Sequence, residues 1–295
     1  KVGAEFGLRA TELVSGSDVP LISRGGLAVS RWSPEIFGPR LRWFAEAEGT
    51  YLNRQRRDLG GASYDLFEPR GSVGLAWRRG EFRKLRVGVG ADYRYLIDSD
   101  LETAGARPRT TGFIRAFVDV DGSWAFFQPK SLRLDHSLVV RGYARAYATD
   151  APYADLRLTV EKGFPIGRYN ELRLEGRGVA LVGGYGIIDE YRVSDLFRGL
   201  YGDRLYTPRA ATASAEFFLS LERERIRASV FVDGLAFQPS QFATDVSAVR
   251  PGVGAGIGLH ALFFEAYQGS VYGLVGIAQG RSVDGGFNFS LARMF

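Results

Sequence analysis

Along four stretches of the chain, apolar and polar residues alternate one for one. From Arg40 to Tyr51 one face reads Leu41, Trp43, Ala45, Ala47, Gly49, Tyr51, and the opposite face reads Arg40, Arg42, Phe44, Glu46, Glu48, Thr50. Leu85 to Tyr95, Ala154 to Glu161 and Glu171 to Val182 repeat the pattern, the last with Leu172, Leu174, Gly176, Gly178, Ala180 and Val182 on its uncharged side. Over the four stretches one face carries no charge and the other carries fourteen. A period of two places these sets on opposite sides of a β-sheet.

A soluble sandwich with its apolar face inward would show the same alternation, but its strands run to about five or six residues. Several of the present alternations run ten to twelve, the length a tilted strand needs to cross a bilayer. Trp43, Tyr51, Trp77, Tyr93, Tyr95 and Trp124 sit near segment ends, where a transmembrane barrel keeps its aromatic girdles. The pattern therefore predicts an all-β chain, a closed antiparallel transmembrane β-barrel forming one domain over residues 1–295. Strands are expected near 3–14, 26–33, 40–53, 70–79, 84–97, 111–125, 131–147, 153–162, 170–183, 209–223, 226–237, 251–263, 269–279 and 285–295. That makes fourteen strands, with twelve and sixteen as alternatives, sixteen if a strand hides in the long connection 54–69. Connections on one side are longer, above all 184–208. A Lys or Arg facing lipid at mid-depth costs about 2–4 kcal/mol, so the fourteen charges are expected to line a polar lumen, Arg pairing with Glu and Asp across strands.

Composition narrows the chemistry. There is no Cys among the 295 residues, which excludes disulfides, thiolate metal sites and thiol nucleophiles, and His136 and His260 are the only imidazoles. Neither has a second His at metal-ligand spacing, and no nucleophile-elbow, zinc-protease or phosphate-loop motif occurs. Asp119 and Asp121 lack the remaining ligands of a calcium loop. No cofactor, no metal and no enzymatic activity are expected. The net charge of +5 is spread as Arg alternating with Glu and Asp, so nucleic acid is not an expected partner. The longest stretch free of Asp, Glu, Lys and Arg, Ala266 to Gly280, is fifteen residues and carries four glycines, too short for a membrane helix. No secretory signal is seen at Lys1.

Asp195 to Leu200 (DLFRGL) lies in the longest uninterrupted connection and resembles the loop signature of the BamA-like superfamily, the bacterial surface antigens. In order after it, Ala215 to Phe218, Val232 to Gly234, the glycine-rich Gly252 to Leu259 and the ending Phe287 to Phe295 are similar to that family's remaining strands. The resemblance covers 184–295. It implies a loop folded back into the lumen, with Arg198, followed by Gly199, meeting Glu216 and Asp233. Alternation independently turns Glu216 away from Ala211, Ala213, Ala215 and Phe217, and Asp233 away from Val230 and Val232. The bare face of Gly252 to Gly258 would leave room for the loop. Phe287, Phe289, Leu291 and Phe295 mark the closing strand, through which the assembly machinery would engage the chain. Leu200 stands at the family's aromatic position, with Tyr201 beside it.

The chain is expected to lack the periplasmic repeat domains of larger relatives. Compact members of the superfamily imply a porin-like or scaffold barrel in the outer membrane of a Gram-negative bacterium, forming a homo-oligomer that encloses lipid. The outward small-residue rows Ala45, Ala47, Gly49 and Gly176, Gly178, Ala180 are candidate contacts. An outer-membrane protein insertase or secretion pore is the alternative.

Overall fold

The computed structural model describes residues 7–8, 24–32, 40–79, 83–104, 112–126, 138–200, 205–222, 225–243, 248–263, 267–278 and 283–293. Its strands are β1 (Gly7–Leu8), β2 (Arg24–Trp32), β3 (Leu41–Arg56), β4 (Ala62–Arg79), β5 (Arg83–Ser99), β6 (Gly112–Phe126), β7 (Leu138–Ala148), β8 (Tyr153–Ile166), β9 (Asn170–Gly183), β10 (Tyr191–Arg192), β11 (Tyr206–Thr207), β12 (Arg209–Glu222), β13 (Ile226–Gln238), β14 (Arg250–Phe263), β15 (Tyr267–Ala278) and β16 (Asp284–Arg293). Fourteen of them form one sheet in chain order, β9 joining β12 directly, while β10 and β11 make a separate two-stranded ribbon. The registers of β2 with β3, β3 with β4, β9 with β12 and β12 with β13 are antiparallel, as neighbours joined by short turns require. None of the described residues forms a helix long and apolar enough to cross a membrane, which says nothing of strands.

Fourteen strands pair in one sheet, the expected number, although 3–6, 9–14 and 131–137 of the expected ranges lie outside the described residues; the expected connection 54–69 is replaced by strand. β3 and β4 run 16 and 18 residues and turn only at Arg57–Leu59 and the glycines that follow. Gly60 and Gly61 hold φ of 72° and 91°, values a side chain disfavours. In the structure Arg54 pairs with Tyr64, Pro69 sits opposite Gly49, and the ladder to β5 passes from Phe67–Tyr95 to Arg70–Asp92, so the proline falls where no partner needs its missing N–H. Asp65 accepts from Tyr51 Oη at 2.8 Å and from Asn53 Nδ2 at 2.5 Å, and these bonds hold the extended hairpin.

Contacts group the chain into two compact units. The first comprises Lys1–Ser123, Gly142–Leu156 and Leu181–Glu190, the second Trp124–Arg141, Arg157–Ala180 and Tyr191–Phe295. Within each the alternation sorts side chains in the reverse of a water-soluble protein. In the first unit Ile114 is 73% exposed while its neighbour Arg115 is 1% exposed. In the second, Val232 is 50% exposed while Asp233 is 4% exposed. The apolar face is open and the charged face is covered.

Candidate functional site

In the second unit, β12 and β13 are paired so that Ser214 lies opposite Asp233 and Glu216 opposite Phe231. The period of two turns Glu216 and Asp233 to the covered face, where both are buried. Arg198, from the connection between β9 and β12, reaches them. Its Nε and Nη2 donate to Asp233 Oδ2 and Oδ1, both at 2.8 Å, its Nη1 donates to Glu216 Oε2 at 2.8 Å, and its Nη2 donates to Ser214 Oγ at 2.7 Å. The guanidinium carbon lies 3.7 Å from the Phe231 ring centroid and 5.5 Å from that of Tyr272. This fork-on-carboxylate geometry stacked on an aromatic is available to Arg and not to Lys. Burial alone would lower the Arg198 guanidinium, but Asp233 and Glu216 more than offset it and hold it above its ordinary range.

Gly199 explains the glycine-rich wall. A Cβ on Gly254 would come within 2.9 Å of Gly199 Cα, and one on Gly276 would collide with the Gly199 backbone itself. The loop main chain therefore rests on bare sheet. Around it, Val193, Phe197, Leu200 and Leu205 pack with Leu235, Phe237 and Ala278 in an apolar cluster. Leu200 is fully buried there.

The same connection carries Asp189 and Glu190, which no motif marks, and both are fixed within the first unit. Asp189 Oδ1 accepts from Arg94 Nη1 at 2.6 Å, Arg115 Nη1 at 2.9 Å and Tyr153 Oη at 2.6 Å, and Oδ2 accepts from the Gly186 amide at 2.6 Å. Arg115 is also held bidentately by Asp92, both contacts at 2.6 Å, and bonds Tyr153. Arg56, wholly buried, donates to Glu190 Oε2 at 2.8 Å and to the Ile187 carbonyl at 3.0 Å. Burial would raise the Asp189 carboxyl, but Arg94 and Arg115 overcome it and hold it below the usual carboxylate range.

His260 sits between Ser229 and Ser270, with Nε2 and Nδ1 each 2.9 Å from a hydroxyl, and 3.8 Å from Glu216 Oε1. All three are buried, and the cavity of about 250 Å³ beside Arg198, lined by Arg173, Arg177, Glu216, Asp233 and Tyr272, does not include them. His136 lies outside the described residues. Among the described residues no cluster of three His, Asp or Glu could hold a metal.

The remaining sequence candidates fall as follows. Phe287 is 78% exposed on β16. Phe289 and Leu291 pair through their backbones with Val271 and Gly269, and Phe295 lies outside the described residues. In the first unit Ala45 and Ala47 help line an open apolar hollow of about 950 Å³, with Gly71, Ala116, Ala146 and Ala148, while Gly49 lies beside Phe67. In the second unit Gly176, Gly178 and Ala180 pair with Ala213, Ala211 and Arg209.

No family model and no curated protein matches the chain. Solved structures do. The crystal structure of BamA from Haemophilus ducreyi lacking POTRA domains 1–3 matches with a TM-score of 0.65 at 11% identity, covering 92% of this chain and 62% of that one. CdiB from Acinetobacter baumannii matches with a TM-score of 0.62 at 13% identity, covering 91% of this chain and 50% of that one. The chain spans between half and two thirds of these relatives and has a BamA-like barrel fold.

Proposed function

We propose that the chain is an integral outer-membrane protein, a barrel closed between its first and last strands, whose apolar face meets lipid and whose ionic face lines the lumen. One observation carries this reading: exposed Val, Leu and Ile alternate with buried Arg, Asp and Glu along single strands. In water that sorting would strand both sets, whereas in a bilayer it satisfies both. The BamA-like fold supports the same location. The barrel works as a porin-like or scaffold unit in a homo-oligomer, with the small-residue hollow around Ala45 and Ala47 as the contact and outer-membrane lipid enclosed between copies. It catalyses no reaction, and β16 is its handle for the assembly machinery.

Insertase or secretion-pore activity is a second reading, supported by the likeness to BamA and CdiB. The test is purification. The polypeptide folds only with detergent or lipid, and its native mass in detergent is a multiple of 32.5 kDa. A chain that folds in plain buffer overturns the membrane reading, and a strictly monomeric mass overturns the oligomer. Planar-bilayer conductance separates an open channel from a loop-filled one.

A further inference from the structure

We infer that the cavity beside Arg198 takes a small oxyanion, with Arg177 as the group it meets. This deepens the porin-like reading and rests on the ionic face lining the lumen. Glu171, Arg173, Glu175 and Arg177 succeed one another on the ionic face of β9. The register with β12 sets Arg177 opposite Thr212 and Arg173 opposite Glu216. Arg173, Arg177 and Thr212 line the cavity, which measures about 250 Å³. At about 30 Å³ per water, that space holds a small ion together with part of its hydration.

Charge balance does not select the ligand, because the described residues around the cavity bring three guanidinium groups, Arg173, Arg177 and Arg198, and three carboxylates, Glu175, Glu216 and Asp233. What selects it is depth within the wall. The Arg177 side chain is 45% exposed against 20% for its partner Glu175, and that of Arg173 is 36% exposed against 5% for Glu171. Arg198 is likewise more exposed than Glu216 and Asp233. In each of these pairs the guanidinium stands nearer the open space and the carboxylate lies beneath it, so a solute in the cavity meets N–H donors first.

Arg177 also has bonding capacity left. Its Nε donates to Glu175 Oε1, while its two Nη atoms have no partner among the described residues. Two coplanar Nη donors match two oxygens of one carboxylate or phosphate group. Directly across the ladder from them stands Thr212, whose hydroxyl has no side-chain partner among the described residues either. Glu216 and Asp233 are already engaged by Arg198, so a cationic ligand would find those counter-charges taken.

The chain has no Cys, so Thr212→Cys places a single reporter in the cavity. Its rate of modification in detergent is measured with two methanethiosulfonates of similar size, one bearing a sulfonate and the other a trimethylammonium group; their ratio cancels the reactivity of the thiol itself. Relative to a small free thiol, the ratio favours the sulfonate by about tenfold, and Arg177→Gln in the reporter background removes the preference. On the chain without the reporter, inorganic phosphate in place of chloride at equal ionic strength raises the temperature at which folded mobility on unheated gels is half lost by about 3 °C, and Arg177→Gln abolishes the rise. A cysteine that prefers the trimethylammonium reagent or reacts with neither overturns the proposal, as does a sulfonate preference or a phosphate rise that is absent or survives Arg177→Gln. Planar-bilayer current judges the porin-like reading separately: a sulfonate preference without current leaves the site and removes the pore, and current without the preference does the reverse.

Discussion

Replacing Arg198 with alanine removes one guanidinium and strands two buried carboxylates. Glu216 and Asp233 are 7% and 4% exposed, so each has little water to turn to once its partner is gone. Breaking a buried ion pair from one side costs about 3–5 kcal/mol. The Arg198 side chain is 26% exposed, which screens part of the interaction, so the lower end, about 3 kcal/mol, is the working figure. At about 1.4 kcal/mol per factor of ten, opening of the loop rises by roughly a hundredfold. Amide hydrogen exchange over 191–200 in detergent reads this directly, as exchange about a hundred times faster while β12 and β13 keep their protection. Arg198→Lys retains charge without the fork and falls between the two. Because the cost lies in the orphaned acids, adding Glu216→Gln and Asp233→Asn to Arg198→Ala recovers part of the lost protection. Exchange changed by less than about threefold in Arg198→Ala would refute the claim that these four hydrogen bonds hold the loop.

Gly254→Ala drives a methyl to within 2.9 Å of Gly199 Cα, where backbone faces backbone and no side chain can give way; the loop lifts, and limited proteolysis within 191–200 accelerates although the Arg198 partners are intact. If cleavage is unchanged, the glycine wall does not seat the loop. The Asp189 anchor has a defined pH window. Its carboxyl is depressed in the fold, so its contribution is complete above the ordinary carboxylate pKa of about 3.9 and is lost as pH falls through the lower folded value. Exchange protection over 187–190 is therefore flat from neutrality to about pH 5 and drops only in stronger acid. Asp189→Asn lowers the protection above that limb to the level the wild type reaches in strong acid, and so flattens it; a limb that persists in the variant assigns it to another group.

How much of this was legible in the sequence depended on range. The strands were readable because each is written locally: Leu85 to Tyr95 states its two faces within eleven residues, and burial obeys them. The contact of Arg198 with Glu216 and Asp233 could be anticipated because a motif and a face assignment converged on the same residues. The first-unit anchor had no such help, since Asp189 meets Arg94 across 95 residues and Arg115 across 74, and neither sits in a recognisable motif. Ser214 and Phe231 were invisible for a related reason, being an ordinary hydroxyl and an ordinary Phe until the register with Asp233 and Glu216 is known. The hairpin of β3 and β4 replaces most of the expected connection 54–69 because a wet charged face accepts Arg54 within a strand, opposite Tyr64.

The loop illustrates why a connection laid on an ionic wall needs more than burial. Val193, Phe197, Leu200 and Leu205 supply a non-directional attraction to Leu235, Phe237 and Ala278, which would tolerate sliding by a residue as long as some apolar side chain filled the space. Arg198 does not tolerate it: a shift of one residue moves the guanidinium along the chain by about 3.3 Å, beyond reach of both oxygens of Asp233 at once. Gly199 adds a steric limit in the same place, because Gly254 and Gly276 are where the wall is bare. Apolar packing thus holds the loop down while the Arg-Gly pair fixes which residue lies where. A variant that enlarges the cluster but removes Arg198 should leave the loop attached and its register heterogeneous, visible as multiple exchange or crosslinking patterns and not as simple release.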